Sequence, residues 1–579
     1  MFNIKSLKVQ DKKEKKKEED SPKIRNIKMQ ILAIAAILLF SAAVCPVTFQ
    51  NDTFYTIKIG EHIINIGAIN MQDPFSWHED LPYTYPHWAY DVMIYLIYNL
   101  GGFLGIFIST IVFSCILGVL IYITNCKISG NKLISFIITI GAMYLLQPYI
   151  TARAQLVTFI LLELTVLFIE KFLENKKKRY AIGIILISIA IANLHCAVWP
   201  FFFVLFLPYV VEFAVFKIID AGLIYKIRKK YYECKMKTFE RLAKKDEKYA
   251  KKVNSTVEKL EELKTRQTKI IENREKSRKS PYKIRFYKND AAKWLIVIMI
   301  ICAFTGLLTP LGDTPYTYLY KTMIGNTTQS ISEHLPLTLI ENKEMLVVLA
   351  VLVAMLIFTD VKIRLKDLFM LAGLALLMFM TRRQESMFVI FGSAIATKII
   401  TDLITKYDIN GLREAEKISV SNLGIVAIML IAILISIIEV RPKLDDNFVN
   451  TSSYPVDAAE FIKNNLDLSS IRLFNEYNYG SYLLFEGIPV FIDSRADLYA
   501  PEFNGEKNEE GEYDGRDIFS DYIKTSNIAR YYETTFEDYD ITHVILSKNS
   551  KLNMLVSRDS NYEQLYSDSH FVIYEREVE

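Results

Sequence analysis

Long apolar blocks, separated by polar segments, recur along most of the chain. A helix that crosses a bilayer core of about 30 Å needs roughly 20 consecutive apolar residues. Blocks of that kind centre on 29–49, 88–123, 133–148, 154–170, 181–195, 198–217, 293–310, 345–359, 367–381, 386–404 and 419–439. The pattern predicts a polytopic α-helical membrane protein with about eleven transmembrane helices, the shorter of which are broken or tilted.

The overall composition agrees with a membrane protein. Apolar residues make up 51% of the chain, and the mean hydropathy is +0.19, although some regions are strongly charged. The formal net charge of +3 reflects basic segments at the ends of the apolar blocks and one charged insertion. It therefore does not indicate a nucleic-acid partner.

The placement of lysine and arginine predicts the orientation, because cytoplasmic loops of membrane proteins carry an excess of both. The tail at 1–28 holds a lysine run, so the N-terminus is expected in the cytoplasm. The segments that then fall on the same side all carry lysine or arginine: 125–132, 171–179, 218–288, 360–366 and 405–417. The loops 50–88 and 311–343 and everything after Val440 fall outside, which predicts a multi-pass protein of the cytoplasmic (plasma) membrane.

Residues 440–579 follow the predicted transmembrane domain at 29–439 and are numerous enough to form a domain with its own core. Helices are predicted at 457–465, from 482–485 onward and at 518–532, and strands at 471–475, 489–492, 543–546 and 571–574. Strands that alternate with helices indicate an extracytoplasmic α/β domain.

The segment 218–290 interrupts the transmembrane domain with sequence rich in lysine and glutamate. Its apolar residues, among them Phe239, Leu242, Tyr249 and Val253, recur at spacings near three, four or seven. Such spacings predict a charged cytoplasmic helix, either single or folded into a helical hairpin with short coiled-coil character. Two roles stay open for it: a solvated elaboration that anionic headgroups attract, or an arm that docks a partner.

The first outer loop, 50–88, is longer and more polar than a connector between two membrane helices needs to be. It carries Asp52, Asp73, His78 and His87 among aromatic residues that are suited to the membrane interface. Carboxylates and imidazoles at a bilayer surface are the groups that an enzyme needs in order to act on a lipid-linked substrate.

Several motifs follow one another along the chain. The first outer loop contains DTFYTIKIGEHI at 52–63, DPFSWH at 73–78 and the start of YPHWAYDVMIYLIY at 85–98. Later ones are TARAQLVTFILL at 151–162, ANLHCAVWP at 192–200, LLTPLG at 307–312 and LFNEYNYGSYLLFEGIPVFIDSRADLY at 473–499. Together they resemble a large group of multi-pass bacterial membrane proteins with the glycosyltransferase C (GT-C) fold. The chain departs from the group at Thr56, where many relatives have histidine, and at Thr309, where asparagine is usual.

The resemblance implies a membrane glycosyltransferase. Enzymes of this fold take a sugar from a polyprenyl-phosphate donor on the outer face of the membrane and invert its anomeric centre in one displacement. In the family, an acidic residue of the first outer loop acts as the base toward the acceptor hydroxyl, and Asp52 is the residue that matches it here. The alternative is that Asp52 only caps the following helix.

The departing phosphate calls for cationic groups at the outer ends of helices. Arg153 begins a predicted helix inside a matching motif, and Arg382 and Arg383 lie at a later outer turn. His195, at a helix end, and His87 are further candidates for contact with the donor phosphate. The alternatives are that Arg153 extends to the interface and that the histidines make helix-end hydrogen bonds.

Other polar residues are candidates for an acceptor contact or for organising loops. Asp73 is a candidate to share a divalent cation, Mg²⁺ or Mn²⁺, with Asp52, although a DPFS turn explains it equally well. Glu333 and His334 lie in an outer loop before a helix. In the C-terminal part, Asp493, Arg495 and Asp497 follow a predicted buried strand, where they either bind a ligand or form an internal Asp–Arg pair.

Two functions of different classes remain. The first is a glycosyltransferase that uses a polyprenyl-phosphate sugar, works among membrane lipids and modifies an envelope glycan, lipid or protein. The second is a non-catalytic component of envelope polysaccharide assembly or export that keeps the fold. The chain shows no obvious inverted repeat of the kind that many secondary transporters have, which argues against simple transport.

Overall fold

The computed structural model describes residues 22–220, 223–244, 246–277, 283–285, 289–325, 327, 331–509 and 513–577. Most of the basic tail predicted at 1–28 lies outside these residues.

Helices dominate the described residues before 441, and every apolar block found in the sequence coincides with helix. They are α1 (Pro22–Ala43), α2 (Asn51–Ile66), α3 (Trp88–Ser129), α4 (Lys132–Leu145), α5 (Ala154–Asn175), α6 (Lys178–Leu194), α7 (Trp199–Val204), α8 (Leu207–Asp220), α9 (Leu223–Ala243), α10 (Lys248–Ser277), α11 (Ala292–Ala303), α12 (Thr314–Ile324), α13 (Lys343–Phe358), α14 (Leu365–Met380), α15 (Glu385–Tyr407), α16 (Ile409–Ser419) and α17 (Asn422–Val440). Most of them pack around one apolar core that runs from α1 to α15.

Five helical segments within the described residues are long and apolar enough to cross a membrane: Pro22–Ala43, Trp88–Ser129, Cys196–Ile218, Arg382–Tyr407 and Asn422–Lys443. Shorter apolar helices occur at Lys132–Leu145 and Ala292–Leu307. The chain is therefore a helical membrane protein. The total of about eleven spans and the orientation stay predictions.

Helix α3 is bent near its start. Its 42 residues correspond to about 63 Å of straight helix, roughly twice what a bilayer core requires. Gly102 interrupts the helical conformation with φ 58° and ψ −151°, so the residues before it pack separately from the membrane-crossing remainder. This first part lies directly on α2, because a side chain at Gly60 would meet the backbone oxygen of Asp91 at 2.2 Å.

The charged insertion is a helical hairpin and not a single helix, with α9 packed against α10. The rings of Phe239 and Tyr249 lie 6.2 Å apart, and the Lys252 ammonium lies 5.8 Å from the Phe239 ring centre. After the hairpin, β1 (Ile284–Arg285) pairs in parallel with β2 (Ile363–Arg364). This pairing joins a segment that follows the hairpin to the residues directly before α14.

The C-terminal region, residues 441–577, contains a mixed sheet flanked by helices, as the alternating pattern predicted. The strands are β3 (Leu473–Phe474), β4 (His543–Ser547), β5 (Tyr562–Ser567) and β6 (Phe571–Arg576), in the order β3-β4-β6-β5. The helices are α18 (Val456–Asn465), α19 (Tyr477–Phe485), α20 (Pro501–Asn504), α21 (Ile518–Ser526), α22 (Tyr532–Asp538) and α23 (Asn553–Val556). In this four-stranded sheet β3 and β4 are parallel, and β6 runs antiparallel to both of its neighbours.

Two details of the sheet differ from the prediction. The run 489–492 is buried but is not a strand of the sheet; Val490 instead forms an isolated bridge with Ser76 of the first outer loop. A short apolar run indicates that a segment is buried, but it does not indicate which other segment it pairs with. Strand β5 was missed because most of its side chains are partly or fully exposed, which leaves only a weak apolar alternation.

The first outer loop and the C-terminal region share one hydrophobic core. The ring of Phe54 on α2 lies 5.2 Å from that of Tyr482 on α19. The indole of Trp77 donates a 3.0 Å hydrogen bond to the carbonyl oxygen of Leu473. The loop therefore fixes the C-terminal region over one end of the helix bundle.

Candidate functional site

A large cavity of about 910 Å³ lies between the ends of the membrane helices and the C-terminal region. Its walls come from α2, α5, α12, the loop before α13, the turn before α15 and the segment 494–498. Among the charged and imidazole groups at this cavity are Asp52, His87, Arg153, His195, Glu333, His334, Arg383, Arg495 and Asp497. Candidates that are far apart in the sequence thus meet in one space.

Asp52 lies in the first turn of α2, but it does not cap the helix. Gln50 occupies the N-cap position, and no side chain there hydrogen-bonds to the helix. The Asp52 carboxylate instead pairs with the guanidinium of Arg153. With its side chain only 18% exposed, Asp52 presents a carboxylate to the cavity in a fixed orientation.

Arg153 joins two carboxylates from distant parts of the chain. Besides Asp52, it binds Glu333 at 3.0 Å. Burial alone would lower the pKa of Arg153, but the two carboxylates outweigh this and raise it. Burial likewise favours a higher pKa for Glu333, whereas Arg153 and Arg383 bring it below its usual value. Arg153 and Glu333 therefore stay charged.

Both ring nitrogens of His87 have partners within the protein. Its Nδ1–H donates to the carboxylate of Asp91 over 2.7 Å, and the hydroxyl of Tyr55 lies 3.1 Å from Nε2. With both ring nitrogens engaged, His87 places the Tyr55 hydroxyl at the cavity and has no nitrogen left for a phosphate.

His195 directly follows α6 and is 5% exposed. Its Nδ1 lies 3.0 Å from the hydroxyl oxygen of Thr158, and that hydroxyl donates its own hydrogen to the carbonyl of Ala154. Thr158 therefore accepts from Nδ1–H, which leaves Nε2 of His195 as an acceptor or proton-binding atom. A contact with phosphate would require a proton there.

Arg382 and Arg383 are adjacent in the turn before α15, yet their surroundings differ. Arg382 does not line the cavity and pairs with the exposed Glu341 at 2.6 Å. Arg383 lines it, and among the described residues its side chain makes no ion pair or hydrogen bond. Burial and the nearby charge of Arg383 lower the pKa of His334 to about 4, so this histidine is neutral.

Arg495 and Asp493 form the internal Asp–Arg pair that was the alternative to a ligand site, and Asp73 of the first outer loop joins them. The Arg495 guanidinium binds Asp73 at 2.6 Å and Asp493 at 2.6 Å, and Tyr499 donates to Asp493. Burial favours a higher pKa for Asp73, but Arg495 and hydrogen bonds from Ser76 lower it overall. The cluster fastens the first outer loop to the C-terminal region.

Asp497 lies on the cavity wall, where it accepts a hydrogen bond from the hydroxyl of Tyr318 on α12. Burial raises the pKa of Asp497 above its usual value. Sequence reasoning missed both Tyr318 and Tyr55, since nothing in their local sequence separates them from other tyrosines. The i,i+4 spacing of His87 and Asp91 was a usable signal, because such residues adjoin on a helix.

The two carboxylates suggested for a divalent cation are each held by a different arginine. Asp52 pairs with Arg153, and Asp73 with Arg495. Across the described residues, no three His, Cys, Asp or Glu side chains come together in a way that could hold a metal ion. This donor set does not fit a shared Mg²⁺ or Mn²⁺; the cation stays a prediction from sequence.

Two comparisons with known sequences gave no relative: no protein-family model matches the chain, and no curated protein matches it. Solved structures are similar in fold. An oligosaccharyltransferase of Archaeoglobus fulgidus in its apo form aligns over 90% of this chain and 69% of its own, with a TM-score of 0.51 and 12% identity. The archaeal oligosaccharyltransferase AglB from the same organism, in complex with an inhibitory peptide and a dolichol-phosphate, aligns over 94% and 74%, with a TM-score of 0.52 and 11% identity. The chain thus shares the GT-C fold of these membrane glycosyltransferases, as the motifs implied.

Proposed function

We propose that this protein is a membrane glycosyltransferase. It transfers a sugar from a polyprenyl-phosphate donor to an envelope glycan, lipid or protein on the outer face of the cytoplasmic membrane, with inversion at the anomeric carbon. The observation that supports this most is that one large cavity contains both the oriented carboxylate of Asp52 and the guanidinium of Arg383. Among the described residues, Arg383 makes no ion pair.

Asp52 is the base in this mechanism. It takes the proton of the acceptor hydroxyl while the acceptor oxygen forms a bond to the anomeric carbon. Arg153 does not compete for the substrate, since Asp52 and Glu333 already engage it. It acts as a positioning residue that holds the Asp52 carboxylate toward the cavity.

Arg383 binds the departing phosphate. As the bond between the anomeric carbon and the phosphate oxygen breaks, its electron pair stays on that oxygen and the phosphate gains negative charge. A guanidinium in a partly enclosed cavity stabilises such charge through paired hydrogen bonds. The acceptor atom left at Nε2 of His195 suits a sugar hydroxyl, and Asp497 with Tyr318 offers polar contacts on the opposite wall.

The structural neighbours support a lipid-linked donor. One of the AglB structures is a complex with an inhibitory peptide and a dolichol-phosphate, so a protein of this fold binds a lipid phosphate. Glycan, lipid and protein acceptors all remain candidates.

The adjacent arginines provide the test. Purified full-length protein in detergent is mixed with undecaprenyl monophosphate, and the bound lipid is measured by native mass spectrometry. We expect Arg383→Gln to weaken binding about 10-fold or more, because a charge-assisted contact contributes roughly 1.5–3 kcal/mol. Arg382→Gln, whose side chain lies outside the cavity, is the matched control and is expected to bind normally. Equal binding by both variants would remove Arg383 from the mechanism.

A further inference from the structure

A second polar site lies inside the helix bundle, away from the large cavity. A small cavity of about 20 Å³ opens between α3, α5, α8, α14 and α15, and its polar lining is Thr124, Glu163, Tyr209, Lys366 and Asp367. That volume accommodates about one water molecule. Glu163 is on the same helix that Arg153 precedes, ten residues further along, or roughly 15 Å.

Glu163 is nearly inaccessible and incompletely bonded. The residue is 1% exposed, and its Oε2 atom has no hydrogen-bond partner within the described residues. The Oγ1 atom of Thr124, which also lines the small cavity, likewise has no hydrogen-bond partner within the described residues. An ionised carboxylate without a partner is too costly to keep in an apolar interior, so such a group takes up a proton instead.

The neighbouring cations are already matched by other carboxylates. The Lys366 ammonium pairs with Glu170 and lies 3.5 Å from Asp367. Glu170 also accepts a 2.8 Å hydrogen bond from the hydroxyl of Tyr209.

Two residues before Lys366, Arg364 binds Glu212 at 2.7 Å. Two cations thus face three carboxylates before Glu163 is counted. Among the described residues around the small cavity, no positive charge is left over to balance an ionised Glu163.

This charged network marks the end of the bundle opposite the large cavity. Arg364 and Lys366 stand at β2 and the start of α14, where β1 and the hairpin are attached. The small cavity therefore lies next to polar groups at the hairpin end of the bundle. Apolar side chains of the helix core separate it from the large cavity.

We propose that the small cavity is a proton-binding site in which Glu163 is a carboxylic acid, hydrogen-bonded through one water molecule to Thr124. Its proton exchanges with the solution at the hairpin end. A metal cation such as Na⁺ is disfavoured, because no three His, Cys, Asp or Glu side chains among the described residues come together in a way that could hold a metal ion. This site is independent of the proposed glycosyl transfer.

Infrared spectroscopy of the purified full-length protein in lipid nanodiscs tests this directly. The difference spectrum between the wild type and Glu163→Gln is expected to show one protonated carboxylic acid band at neutral pH, and transfer to D₂O is expected to shift it. Thr124→Val keeps the carboxyl but removes its neighbour, so the band is expected to move without vanishing. Glu174→Gln, on the same helix but with an exposed side chain, is the control and should leave the band unchanged.

Three results would overturn the proposal. The first is a carboxylate band for Glu163 in place of an acid band. The second is an acid band that D₂O never shifts, which would show that the proton does not exchange. The third is loss of the band when sodium chloride replaces choline chloride, which would identify a cation site. The measurement uses neither donor nor acceptor, so its outcome is separate from that of the lipid-binding test.

Discussion

At the scale of single residues, identical side chains have different tasks according to what surrounds them. Arg382 and Arg383 are adjacent, but only Arg383 faces the large cavity. Asp52 and Asp73 were both candidates for a divalent cation in the sequence, whereas Asp73 proves to be a buried partner of Arg495. The sequence could identify the residue types needed for phosphate and proton chemistry. It could not divide them between the cavity and the internal pairs, because the partners are hundreds of positions apart.

Arg495 is predicted to be a major contributor to stability. Arg495→Met would leave Asp73 and Asp493 buried without a counter-charge, which costs about 3–5 kcal/mol. Arg472, whose side chain is 43% exposed in its pair with Asp540, is the control, and Arg472→Met should cost about 1 kcal/mol or less. Denaturant unfolding in detergent, followed by tryptophan fluorescence, measures both. Similar losses in the two variants would contradict the structural role of the buried cluster.

His78 gives stability a defined pH dependence. Burial lowers its pKa from 6.5 to about 4, and its Nε2 lies 2.8 Å from the carbonyl oxygen of Phe491. Because the unfolded histidine binds protons more readily, its contribution is complete above pH 6.5 and is lost as the pH falls from 6.5 toward 4.

Thermal unfolding across that window should therefore show a steeper fall in Tm for the wild type than for His78→Gln, which keeps a hydrogen-bond donor but does not titrate. Parallel curves for the two proteins would show that His78 is not the group responsible.

At the scale of elements, the apolar pattern located helices well and strands less well. A helix produces a long periodic pattern of apolar residues in the sequence, which is why all the apolar blocks could be recognised as helices. A two-residue strand such as β3, or a largely exposed one such as β5, produces almost no such pattern. The bend in α3 was also invisible, since a glycine in an apolar run does not by itself indicate a kink.

Gly102 is predicted to be the residue that permits this bend. Its φ of 58° with ψ of −151° lies in a region that only glycine adopts readily, so Gly102→Ala should cost about 1–3 kcal/mol. The adjacent Gly101 has no positive φ and open space around it, so Gly101→Ala is the matched control and should be close to neutral. Thermal unfolding in detergent compares them; equal Tm values would mean that the bend does not depend on Gly102.

At the scale of the whole molecule, the structure unites parts that the sequence presented as separate. The first outer loop and the C-terminal region share a core, and the large cavity forms where they meet the helix ends. Motif resemblance predicted the GT-C fold, since the matching motifs are spread along most of the chain. It did not predict the shape or composition of the cavity, because these depend on packing between distant segments.

The central claim is that Asp52 serves as the base for transfer of a lipid-linked sugar, and comparison of envelope glycans tests it most directly. Cells that lack the protein are complemented with the wild type, with Asp52→Asn, or with Glu341→Gln, whose altered side chain is exposed and outside the cavity. Glycan composition and mass are then measured alongside protein level and membrane insertion. We expect the same sugar to be missing from uncomplemented and Asp52→Asn cells, and present with Glu341→Gln. A wild-type glycan pattern with normally inserted Asp52→Asn would contradict the role of Asp52, and a deletion without any glycan change would contradict the proposed function itself.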